Sequence, residues 1–160
     1  MNNNEKKFFE NLCKMCISNY QVLNNADMIS TLISQVCRIK DMDVPFVKGI
    51  LYVEVNNYKR QYAHCFNMYM GNVIDAGIYQ FAIMNKKIEE LFPMYIAGNE
   101  PNHIEYKVMS EVKLDVQFKF KREFLIEVIE KAYQYDDIEI NKFNEIEDSK
   151  KSNLFYYRRM

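Results

Sequence analysis

Two stretches near the start of the chain carry apolar residues at helical intervals. Phe8, Phe9, Leu12, Met15 and Cys16 predict a helix over residues 5–18. Met28, Ile29, Leu32, Ile33, Val36 and Ile39 form a broader stripe and predict a second helix over residues 26–40. Asn25 stands where it would cap that helix, and Asp27 lies in its first turn, where the helix dipole favours negative charge. Pro45 blocks continuation of the helix, and Asp41-Met42-Asp43 supplies the turn.

Beyond Pro45 the period changes. Residues 46–55 are β-branched and aromatic (Val47, Ile50, Leu51, Tyr52, Val53, Val55), which predicts a buried strand interrupted by Asn56-Asn57. A hairpin is predicted next, with strands over 62–69 and 72–76 and a turn at Met70-Gly71. Residues 84–92 read as a short helix ended by Pro93, and Gly98-Asn99 and Pro101-Asn102 as loops. Val112, Leu114, Val116, Phe118 and Phe120 alternate with Glu111, Lys113, Asp115, Gln117 and Lys119, which predicts a strand running into a helix over 121–134. Residues 136–160 read as an exposed, partly disordered tail. Helices followed by several strands predict one α+β domain over residues 1–160, a helix packed on a mainly antiparallel sheet of four or five strands.

Composition narrows the chemistry. The 160 residues include 49% apolar and 27% charged side chains, ordinary for a folded domain, with a net charge of −1. That balance does not predict a phosphate-binding surface. With 4 Gly and no GxGxxG or GxxxxGK[ST] run, no phosphate-cradling loop is expected. No apolar run reaches the roughly 18–20 residues of a membrane span, and the polar N-terminus differs from a signal-peptide core. A cytoplasmic location, in its own cell or a host's, is the expectation, with the 4 cysteines as free thiols.

The chain has 2 histidines, and His64 falls in the predicted hairpin. If Met70-Gly71 is a two-residue turn, Tyr69 faces Asn72 and Phe66 faces Asp75. His64 then shares a face with Asp75, as a diagonal neighbour roughly 7–8 Å away at the backbone. An Asp there would fix the imidazole tautomer and raise its basicity, as acyl-transfer enzymes require. The same spacing also suits a structural histidine satisfied by hydrogen bonds.

The segment Tyr62-Ala63-His64-Cys65-Phe66-Asn67-Met68-Tyr69-Met70-Gly71-Asn72-Val73-Ile74-Asp75-Ala76-Gly77-Ile78-Tyr79-Gln80-Phe81 resembles the transglutaminase-like, papain-like cysteine-enzyme pattern. In that pattern a strand His is followed by an aromatic, a turn, an apolar run ending in Asp, and later a Gln-Phe. The helix over 26–40, Val44-Pro45 and Phe46-Val47-Lys48-Gly49 follow the family's upstream order, so the resemblance covers about residues 21–81. Departures are Phe66 where Trp is usual and Ala76-Gly77 where Thr commonly follows the Asp. The resemblance implies His64 as general base, Asp75 as its orienting partner and a nucleophilic Cys at the start of the central helix. In this chain that slot falls at Ala26, with Asp27 next. Gln21 is then the candidate oxyanion-hole side chain. Either an engineered Cys→Ala replacement or a natural loss of the nucleophile accounts for Ala26.

Other constellations point away from chemistry. Cys13-x-x-Cys16 lies inside an amphipathic helix, where a low thiol pKa is not expected, and no second CxxC is present to complete a zinc site. Cys65 adjoins His64 but faces the other way on a strand. Phe118-Lys119-Phe120-Lys121-Arg122 interleaves aromatic and basic residues, yet the alternation accounts for the rings as one buried face, so no nucleic-acid partner is expected. His103 is expected in a solvated loop.

Two functional readings follow. The first is a thiol-dependent acyl-transfer enzyme (amide hydrolysis, deamidation or transglutamination) needing no metal or cofactor and acting on a protein, a peptide or a small amide. The second is a catalytically inactive binding or inhibitor protein, for example a phage or bacterial anti-host factor, using the same cleft for a peptide or small ligand. No membrane partner is expected in either.

Overall fold

A computed structural model describes residues 1–112 and 118–135. Helix α1 spans Asn3–Asn19. It starts earlier than the apolar stripe predicts because Asn2 and Glu5 form a reciprocal capping box. The Glu5 amide donates to Asn2 Oδ1 at 2.8 Å, and the Asn2 amide donates to Glu5 Oε1 at 2.9 Å. Helix α2 spans Ala26–Ile39. Asn25 does occupy its N-cap position, but its side chain caps no helix amide and instead donates to the Leu23 carbonyl. Asp27 accepts from the Met28 amide at 2.8 Å.

Strands β1 (Phe46–Val55), β2 (Tyr58–Tyr69) and β3 (Asn72–Asp75) form a meander. The β2–β3 turn has φ of 49° at Met70 and 79° at Gly71, the paired positive values of a type I′ turn. Tyr69 faces Asn72 and Asn67 faces Ile74, as the two-residue turn predicts. The predicted return strand ends one residue sooner, at Asp75. The short helix predicted over 84–92 is a 3₁₀ turn (Lys86–Leu91), preceded by a short helix α3 (Gln80–Met84) that was not predicted.

Two strands were not predicted: β4 (Ile96–Gly98) and β5 (Ile104–Val112). They complete an antiparallel five-stranded sheet of order β4-β3-β2-β1-β5. The strand predicted from Val112 to Phe120 falls largely outside the described residues. Val112 ends β5, residues 113–117 lie outside the described residues, and the chain from Phe118 to Lys121 is irregular. Gln35 of α2 replaces a neighbouring strand there, donating to the Phe118 carbonyl at 2.7 Å and accepting from the Phe120 amide at 3.2 Å. Both phenylalanines are buried, as their alternation predicts. Helix α4 (Arg122–Gln134) follows, matching the prediction. The tail expected beyond residue 135 lies outside the described residues.

The sheet separates two apolar clusters. Helices α1, α2 and α4 pack on one face around Phe9, Leu12, Leu32, Ile33, Ile74 and Val128. Val47, Leu51, Phe66 and Val73 face the other way and are covered by Ile78, Phe81 and Phe92 from the segment after β3. Gly49 is required by the close approach of β1 and β5, since a Cβ there would lie 2.1 Å from the Lys107 carbonyl oxygen.

Candidate functional site

His64 and Asp75 meet, as the strand parity predicts. His64 Nε2 lies 2.7 Å from Asp75 Oδ2, and the two side chains are 0% and 1% exposed. Asp75 accepts two further hydrogen bonds, from the Tyr106 hydroxyl to Oδ2 at 2.6 Å and from the Gly77 amide to Oδ1 at 2.9 Å. Burial, reinforced by the neighbouring Asp75, pushes the Tyr106 phenol well above its ordinary pKa, so Tyr106 acts as a donor.

The other ring nitrogen is also engaged. Gln80 Nε2 lies 3.3 Å from His64 Nδ1, and Gln80 Oε1 accepts the Asn24 amide at 3.1 Å. The Asn24 amide can only donate, which fixes Gln80 with its NH₂ group toward His64. Nδ1 is therefore the acceptor, and Nε2 carries the proton given to Asp75. Phe66 stacks near the imidazole at 6.1 Å, and Phe81 meets it edge-on at 5.1 Å. His64 is held on both edges and flanked by two rings.

Ala26, the expected nucleophile slot, is buried at the start of α2. It lies against the chain just beyond Asp75, since a Cβ on Gly77 would sit 3.2 Å from the Ala26 Cβ and 3.6 Å from Asp75 Oδ1. Gly77 thus lets α2 approach the end of β3. Gln21 is half-buried and lies outside this hydrogen-bonded cluster. Asp27 is half-buried, with its carboxylate turned to the Met28 amide of its own helix.

The four thiols lie elsewhere. Cys13, Cys16 and Cys37 are buried among the helices. Burial raises Cys13 well above its ordinary value and Cys37 to about 12. Cys65 is half-buried on the sheet face opposite His64, and burial, with Asp27 and Asp75 adding to it, lifts its thiol to about 11. Among the described residues, no three His, Cys, Asp or Glu side chains come together as a metal site, and no helix is long and apolar enough to cross a membrane. His103, expected to be solvated, is half-buried and hydrogen-bonds the Leu91 carbonyl through Nε2 at 2.7 Å.

Sequence reasoning missed Tyr106, Asn24 and the role of Gln80. Gln80 stood within the Gln-Phe of the motif, but nothing in the spacing marked its two partners. Comparison with known proteins finds no matching family model, no matching curated protein and no matching solved structure.

Proposed function

We propose that this chain is a catalytically inactive binding protein that keeps an acyl-transferase-like His–Asp frame as scaffold. The observation that carries the reading is the full occupation of the His64 ring. A general base needs one ring nitrogen turned to a nucleophile, and here Asp75 and Gln80 hold both. Every cysteine lies away from that ring, and the one on the same strand has a thiol that stays protonated near neutral pH. The expected ligand is a protein, a peptide or a small amide. The interleaved rings of Phe118 and Phe120 are buried, so this segment offers no rings for base stacking.

The thiol-enzyme reading has one observation in its favour. The start of α2 lies beside the turn after Asp75, and Asn24 reaches His64 through the single bridging side chain of Gln80. A cysteine at position 26 would act as nucleophile only if Gln80 left Nδ1.

Labelling of the Ala26→Cys variant with iodoacetamide, with and without His64→Ala, separates the two. The binding-protein reading expects neutral-pH labelling no faster than that of an ordinary thiol, and the same in both backgrounds. Rapid labelling that collapses with His64→Ala would overturn it in favour of the enzyme.

A further inference from the structure

Among the described residues the sheet ends in β5, which pairs with β1 on one side only. From Lys107 to Glu111 every residue is exposed, with Val108 at 47% and Met109 at 59%. Such an edge presents a row of backbone donors and acceptors to a further strand.

We propose that β5 pairs antiparallel with β5 of a second copy, about a twofold axis through Met109, so that the two sheets become one. Charge selects this register. With Met109 opposite its own mate, Lys107 of each copy faces Glu111 of the other, giving two opposite-charge cross-strand pairs. Among the described residues neither Lys107 nor Glu111 is engaged in an ion pair. Moving the axis to Val108 would set Glu105 against Glu111, and moving it to Lys107 would set that lysine against itself.

The irregularity of β5 selects the same axis. Lys48 pairs with Ser110 and Gly49 with Val108, so Met109 is an extra residue with no partner on β1. Placed on the axis, the two bulges coincide, and regular pairing is needed only between residues 106–108 of one copy and 110–112 of the other. Any other axis sets the bulge against a regular stretch. Edge bulges and edge lysines discourage pairing with unrelated strands. Here they disfavour a generic partner and fit a self-complementary one. The contact is one short strand pair, so the dimer forms reversibly with concentration.

Sedimentation equilibrium of the full chain tests this with Lys107→Glu, Glu111→Lys and the double variant. The expected result is a reversible dimer whose Kd rises about tenfold in each single variant and returns to within about threefold of wild type in the double swap. Both side chains are exposed, so circular dichroism and melting of the monomer should not change. A monomer at all concentrations, a dimer indifferent to the single variants, or a double swap that fails to restore pairing would each overturn the proposal. A chain that stays monomeric but binds an extended foreign peptide along β5 would also overturn it, and would assign the edge to a different protein.

Discussion

Asp75 concentrates the residue-scale chemistry of this protein. Its Oδ2 takes both the His64 ring and the Tyr106 hydroxyl, and its Oδ1 takes the Gly77 amide. A buried carboxylate is tolerated when it is hydrogen-bonded this fully, and removing one donor leaves part of the desolvation cost uncompensated. Tyr106→Phe is therefore expected to destabilise the chain by about 1–3 kcal/mol in urea denaturation. The loss should shrink in an Asp75→Asn background, since the two groups act on each other. The His64–Asp75 part of this arrangement was legible because side chains alternate along a strand and the turn fixed the register. Tyr106 was not, since it lies 31 residues beyond Asp75 on a strand whose alternation fails at Met109.

At the scale of elements, turns and caps explain where structure begins and stops. The type I′ turn places Met70 at a φ of 49°, a left-handed conformation that Asn and Gly adopt more readily than Met. Met70 is 71% exposed, so replacing it sacrifices no packing. Met70→Asn should raise stability by about 0.5–1 kcal/mol, seen as a higher urea midpoint with an unchanged slope. The α1, α2, β1 and α4 spans were readable because apolar period and breakers agreed. At Phe118 and Phe120 the alternation reads a buried face correctly, but the rings enter the helical core while Gln35 takes their backbone hydrogen bonds, so the pattern there does not mark a strand. In β5 the opposite occurred. Ile104, Tyr106 and Val108 alternate correctly, but the bulge and the charges between them hide the strand.

For the whole molecule, the sheet separates two apolar cores, and the helical one holds three buried thiols. Burial keeps Cys37 protonated to about pH 12 in the folded chain and raises Cys13 and Tyr106 well above their usual ranges. An unfolded cysteine ionises near pH 8.5. Between about pH 9 and 12 the unfolded state has therefore lost protons that the native state keeps, and stability falls as pH rises. Thermal melts should show a steadily declining transition temperature across that window, with a shallower slope for Cys37→Ala than for wild type.

The hydrogen bonds around His64 also have a consequence for how the chain assembles. They join residues 11, 16, 31 and 56 positions apart, and draw on the loop before α2, on β2, on β3 and the turn after it, on α3 and on β5. No subset of these elements can satisfy the whole cluster, and each missing one leaves it short of a hydrogen-bond partner. A nascent or truncated chain that has not delivered Tyr106 thus carries an internal penalty against closing early. The cluster serves as a check on completeness, favouring the finished fold over its partly built forms.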